Sequence, residues 1–257
     1  MKKRIKHRKK ANRRKKIIVR CIGLLFVIVL LVFYRHYFVP GGTEISSTKY
    51  PVSGVDISKY NGKIDWDALE AQGIDFVFIK ATEGEKYVDP TYNENLNGAL
   101  EAGIPVGAYH FFRFDRQGTK QAVNFLENAQ IHKLTLPVVI DVEEANHFTS
   151  KKKKSAILKE LRDLINTVEK TTHQQVLIYT NEHTFQKYIE GNFPMNDLWI
   201  SSFNDPPKVR FQWTFWQYTH KGRLKGIDHL VDINTFWGDR KSWKNYLEEL
   251  EDQKQDS

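Results

Sequence analysis

Eight short apolar runs punctuate the chain between Pro51 and Phe236, and the first five are each followed by a stretch of helical character. The runs are "PVSGVDIS", "IDFVFIKAT", "IPVGAYHFF", "TLPVVIDVE", "QQVLIYT", "DLWISSF", "FQWTFWQYT" and "HLVDINTF". They are short, rich in Val, Ile and Phe, and mostly without polar alternation, as strands covered on both faces are. The clearest intervening helix has Ile157, Leu158, Leu161, Leu164, Ile165 and Val168 on one stripe of 3.6-residue period. Strands alternating with helices predict a parallel α/β sheet.

Eight strands and about five helices over residues 52–240 predict a closed or nearly closed TIM-like β/α barrel. An open doubly wound sheet is the alternative. There is no internal repeat and no Gly-rich phosphate loop. Residues 241–257 read as a charged C-terminal helix or tail.

The N-terminal part is of another kind. Of 39 Lys and Arg, twelve fall in residues 1–20, which hold no acid; the remainder of the chain has 27 basic against 31 acidic residues. The net charge of +8 therefore belongs to a tail. A nucleic-acid-binding fold would carry its basic face within the domain, so no nucleic-acid partner is expected. Residues 17–39 follow the basic tail of residues 1–16. As a helix they span roughly 34 Å, enough to cross a bilayer core. The expectation is a single-pass cell-membrane protein with its N-terminus in the cytoplasm and residues 40–257 outside. A cleaved signal peptide is the rival, although no small-x-small site follows. Residues 40–51 read as a linker. The single cysteine, Cys21, lies in the apolar span, so the exported part has no disulfide and no thiol nucleophile.

Functional groups in parallel β/α folds gather at the carboxyl ends of the strands. Asp56 ends the first run, Asp141 and Glu143 end the fourth, and Asp232 is placed near the end of the eighth. Period two puts Asp141 and Glu143 on one face, about 7 Å apart, with Glu144 turned away. Repulsion and partial burial should raise one pKa of that pair and leave the other low, giving a proton donor beside an anion. Helix caps or solvated turns are the plainer readings of each acid taken singly. His110, His147 and His183 are scattered, so no metal site and no cofactor are expected. Tyr109 and Phe111, Tyr179, and Trp216 with Tyr218 alternate on strands and are candidate sugar contacts; core packing is the alternative for any single ring. The "KKKK" of residues 151–154 opposes the dipole of the helix that follows. It reads as a solvated first turn or as a contact for anionic polymer.

Seven segments in register carry a resemblance: "GVDISKYNGKIDW" (54–66), "FVFIKATEG" (76–84), "PVGAYHFF" (105–112), "PVVIDVE" (137–143), "LIYT" (177–180), "FWQYT" (215–219) and "VDINTF" (231–236). Together they resemble glycoside hydrolase family 25, the lysozymes or N-acetylmuramidases. The resemblance implies an eight-stranded β/α barrel that cleaves the β-1,4 bond between N-acetylmuramic acid and N-acetylglucosamine in peptidoglycan. It implies Glu143 as general acid, Asp141 as its partner, and Asp56 and Asp232 as further cleft acids. Lys80 and Glu83 fall in a family motif, and Tyr60 stands where many members have Trp. The expected partner is a peptidoglycan glycan strand, met by a monomer on a bacterial surface, with the anchor in place of wall-binding repeats. Attack by the substrate's own acetamido group, attack by Asp56 or Asp232, and inversion through water remain open, as do a non-catalytic sugar-binding module and a glycosidase of chitin-like polymers.

Overall fold

The computed structural model describes residues 27–28, 47–144, 152–203, 205–209 and 212–255. The elements below lie in the unit Thr43–Ser257. Its strands are β1 (Ser53–Ile57), β2 (Phe76–Glu83), β3 (Tyr87–Val88), β4 (Val106–Phe111), β5 (Val139–Asp141), β6 (Leu177–Asn181), β7 (Leu198–Ser201), β8 (Phe215–Gly222) and β9 (Val231–Phe236). Its helices are α1 (Trp66–Glu70), α2 (Tyr92–Glu101), α3 (Gly118–Asn128), α4 (Lys154–Thr172), α5 (Glu182–Thr184, continued as a π-helix over Phe185–Ile189) and α6 (Arg240–Gln255). Apart from Val27 and Ile28, the predicted membrane span lies outside the described residues. Among those residues no helix is long and apolar enough to cross a membrane.

The sheet runs β1-β9-β8-β7-β6-β5-β4-β2-β3, and β1 also pairs with β2. That pairing closes eight strands into a barrel and leaves β3 as a two-residue flap hydrogen-bonded to β2. The open-sheet alternative is thereby excluded. A two-residue strand is too short to show a period, so β3 has no signature in the sequence. The sequence pattern predicts a parallel last strand. In the structure β9 is antiparallel to both β8 and β1. Only eight residues separate β8 from β9, too few for the crossover that a parallel neighbour requires.

Each strand has two faces, and two cores result. The outward face packs under the helices. The stripe on α4 lies fully inside this outer core, with Ile157, Leu158, Leu161, Leu164, Ile165 and Val168 all buried. Each such side chain contributes roughly 1.5–3 kcal/mol of burial free energy. The inward face fills the lumen with Phe76, Phe78, Val139, Leu177, Tyr179, Trp199, Phe215 and Phe236. Phe78 and Trp199 stack with centroids 4.6 Å apart. Two lumen positions are glycine for want of space. A Cβ on Gly54 would lie 2.4 Å from the Phe76 ring, and one on Gly107 would lie 2.6 Å from Phe78.

The C-terminal helix belongs to this inner core. Trp243 of α6 is buried there, with Tyr246, Leu247 and Leu250 packed against it. The Trp243 ring centroid is 5.4 Å from that of Phe76. The charges of α6 occupy its other face, so the element closes the amino end of the barrel.

Candidate active site

The carboxyl end of the lumen is polar because the inward positions change character there. On β8, Phe215 is followed two residues on by Gln217. On β9, Asn234 and Asp232 precede Phe236 by two and four residues. Asp56 and Asp232 are direct register partners on β1 and β9. Asp141 is the last residue of β5, and Glu143 follows two residues later. Around the ring, β5 stands opposite β9, which adjoins β1. The four acids thus face one another across the mouth. Asp232 reaches it from the start of a reversed strand rather than from the end of a parallel one, which corrects the reason for its selection.

Asp56 is held by buried amides. Gln217 Nε2 donates to Asp56 Oδ1 at 2.9 Å and Asn234 Nδ2 to the same oxygen at 2.8 Å. Each amide is oriented in turn: Tyr179 Oη donates to Gln217 Oε1 at 2.9 Å, and Trp199 Nε1 donates to Asn234 Oδ1 at 2.8 Å. A chain of donors therefore runs from the aromatic core to one carboxyl oxygen.

All four acids hold protons more tightly than free carboxyls, with burial as the leading cause. Asp232 is pushed up to about 9 by burial, then by the charge of Asp56 and the hydrogen bond between the two. Asp56 is raised by burial, against the pull of Asn234, Gln217 and Asp232. The amide donors favour its anion, so the proton shared by the pair rests on Asp232. Asp141 is raised well above the usual carboxylate range by burial and by the charge of Glu143, with Lys80 opposing. Glu143 is raised by burial and by Asp56, again with Lys80 opposing. The expectation that one member of the Asp141–Glu143 pair stays low is overturned, because both sit in the same poorly hydrated space. Asp141 is 6% exposed, and its Oδ1 has no hydrogen-bond partner among the described residues. Glu143, one turn of the pleat nearer the solvent, is half-buried.

The model of the family described as "Glycosyl hydrolases family 25" matches residues 55–227. The chain belongs to this family. It is 32% identical over 200 residues to Lysozyme M1 of Streptomyces globisporus, covering 73% of this chain and 68% of that protein. It is 32% identical over 205 residues to the N,O-diacetylmuramidase of Arthroderma benhamiae, covering 74% and 86%. The solved family 25 glycosyl hydrolase of Bacillus anthracis matches with a TM-score of 0.73 at 38% identity, over 80% of this chain and 97% of that one. The protein is a glycoside hydrolase.

In this family 25 hydrolase the other candidates divide by strand face. Lys80 points into the mouth. Its Nζ is 2.9 Å from Glu83 Oε2 and 4.9 Å from the centroid of Phe111. Arg113 Nη1 holds the other Glu83 oxygen at 3.3 Å, and Glu83 is lowered by these two cations against its burial. Tyr109 lies among the acids; burial first, then the charges of Asp56, Asp141 and Asp232, push its phenol up. Tyr60 sits on the turn after β1 and is 74% exposed. Tyr179 is present, but its hydroxyl is committed to Gln217.

Trp216 and Tyr218 do not join the site. They pack against the outer core, and the Trp216 ring lies edge-on to Tyr50 and Trp213. On β8 the lumen is served by Phe215 and Gln217 instead. Both faces of that strand are aromatic, so composition does not reveal which one turns inward. Gln217, Asn234 and Trp199 were missed. For Asn234 the signal was available: if Asp232 faces the mouth, period two puts Asn234 on the same side. Glu144 turns away as expected, bonding Lys187 Nζ at 2.6 Å and Tyr188 Oη at 2.9 Å. His110 is also committed elsewhere. It lies buried between Thr82 and Gln121, and burial lowers it to about 4. Among the described residues no group of three or more His, Cys, Asp or Glu is arranged to hold a metal ion.

Proposed function

We propose that this chain hydrolyses the β-1,4 bond between N-acetylmuramic acid and N-acetylglucosamine in peptidoglycan, with Glu143 as the general acid. The observation that carries this reading is the ring of four acids of raised pKa, in which Asp56 and Asp141 are buried and Glu143 and Asp232 are partly open to solvent, Asp232 being hydrogen-bonded to Asp56. A general acid must be protonated at working pH and must reach the leaving oxygen. Burial and the charge of Asp56 favour the protonated form of Glu143, and its partial exposure at the mouth leaves it open to a substrate. The lysozyme and muramidase names of the relatives support the substrate class.

Positive charge develops at the anomeric carbon as the bond breaks, and an anion must face it. The substrate's acetamido oxygen is the proposed internal nucleophile, with Asp141 accepting the acetamido N–H. That hydrogen bond favours the Asp141 anion, which the free site disfavours. The negative charge therefore forms where and when substrate binds. Asp56 and Asp232, one proton between them, supply the second wall. Lys80, Glu83, Tyr109, Phe111 and Tyr60 are the proposed sugar contacts.

Residues 17–39 are proposed to anchor the protein in the cell membrane, with residues 1–16 in the cytoplasm, residues 40–51 as a linker and the monomeric hydrolase outside. The support is the charge and hydropathy pattern of the sequence. Anchoring raises the local concentration of enzyme at its polymer.

Mass spectrometry of fragments released from purified peptidoglycan tests the function. Products with N-acetylmuramic acid at the reducing end are expected, released about 10³-fold more slowly by the Glu143→Gln variant. Release from chitin but not from peptidoglycan would replace the substrate. Near-normal release by Glu143→Gln would remove the acid assignment. The anomer first formed, read by NMR, separates retention from inversion.

A further inference from the structure

Phe203 is 47% exposed, and its ring lies 4.5 Å from that of His220, which is also exposed. Neither residue has a role in the site described above. Phe203 follows β7 by two residues, at the carboxyl end of the barrel. His220 is near the end of β8, beside a bulge. Thr219 pairs with Ile233 and Gly222 with Val231, so His220 and Lys221 stand together opposite the single residue Asp232. Bulges of this kind re-aim side chains next to active sites.

The backbone that presents Phe203 is fixed at the preceding residue. Ser202 N donates to Gln217 O at 3.1 Å. Trp216 Nε1 donates to Ser202 O at 2.7 Å, and Ser202 Oγ donates to Asp205 O at 2.9 Å. Trp216, on the outer face, thus acts on the mouth through Ser202. Gln217 grips Ser202 with its main chain and Asp56 with its side chain, tying the ring pair to the carboxyl row.

Position around the barrel supplies the last element. The row of acids crosses the mouth from β5 to β9 and β1. Phe111 and Lys80 lie on one side of that row, on β4 and β2. Phe203 and His220 lie on the other, on β7 and β8. A polymer laid across the acids meets rings on both sides.

We propose that the Phe203–His220 pair is a stacking platform for an N-acetylhexosamine ring of the glycan strand, on the far side of the scissile bond from Phe111. A pyranose has one face of C–H groups, and a fixed exposed ring removes that face from water at small entropic cost. This assignment rests on the proposed reaction and specifies which part of the surface holds the extended substrate.

The test compares the full-length protein with its Phe203→Ala and Phe203→Trp variants on purified peptidoglycan glycan strands. Phe203→Ala should raise KM about five- to tenfold and leave kcat within about twofold, as loss of uniform binding does. Phe203→Trp should restore KM, and Trp216→Phe should reproduce part of the rise. An unchanged KM, or a fall confined to kcat, overturns the platform. The same substitution in the Glu143→Gln background, read as co-sedimentation with insoluble peptidoglycan, should weaken binding by a similar factor; equal binding also overturns it. Absence of turnover by the parent enzyme would end the hydrolase reading, whereas the binding comparison would still decide the platform.

Discussion

At the amino end of the strands the lumen is filled by Phe76, Phe215, Phe236 and Trp243. Two to four residues along the same strands it is lined by Lys80, Gln217, Asn234 and Asp232. The lower end lowers the free energy of the fold: edge-on and tilted rings in mutual contact, buried by α6. The upper end raises it, since four carboxyls are gathered where water is scarce and burial raises the pKa of each. A glycosidase needs that unfavourable arrangement. The comparison teaches that the aromatic floor offsets the acidic mouth, and that the two are coupled through Trp199 and Tyr179, whose rings pack below and whose donors point above.

The largest effect expected from separating the two ends is on catalysis. Glu143→Gln should lower kcat by about 10³-fold, within the range of a lost general acid, while the thermal midpoint stays level or rises. A falling midpoint would mean that the mouth contributes to stability. Next comes the floor. Trp243→Ala should cost about 3–5 kcal/mol in denaturant titrations, with kcat per folded molecule unchanged at low temperature. A loss below about 1 kcal/mol would show that α6 does not close the barrel.

The third effect reverses the usual sign for a mutation. Folded Asp232 keeps its proton to about pH 9, against a value of 3.8 when unperturbed. Between these limits the unfolded chain binds fewer protons, so this group's contribution is complete below about pH 3.8 and is lost as pH rises towards 9. Asp232→Asn should remove that slope and stabilise the protein by about 0.5–2 kcal/mol near pH 8, at the expense of activity. Equal stability-pH profiles for parent and variant would place Asp232 in an ordinary solvated setting. The smallest effect concerns Lys80, whose charge pulls both Asp141 and Glu143 down. Lys80→Met should move the alkaline limb of the kcat profile upward by up to about one pH unit, because the acid then stays protonated longer. A downward move would show that Lys80 does not act through Glu143.

Much of the fold was legible because local patterns agreed with it. The α4 stripe, the apolar runs and the position of Asp141 and Glu143 past a buried strand each follow from spacing alone. The direction of β9 was not, since strand residues look the same read either way and only the short connection from β8 betrays the turn. Trp216 and Tyr218 show a second limit. A strand with aromatic residues on both faces offers two equivalent phases, and the bulges of β8 break any count made from one end. The common rise of all four acids was a third, because burial depends on how closely β1, β5 and β9 approach across the lumen.

One contact at the closed end has a mechanical consequence. Arg240, at the start of α6, donates to Asp75 Oδ1 at 2.7 Å and to Pro51 O at 3.1 Å, and Asp75 Oδ2 accepts from Ser53 N at 2.9 Å. These bonds clasp the point where the chain enters β1 to the helix that ends the domain. Force applied through the residues before Pro51 is expected to load the clasp, α6 and the aromatic floor first. The carboxyl row lies at the opposite end of the barrel, so turnover measured with the leading segment under tension should match that of the free protein.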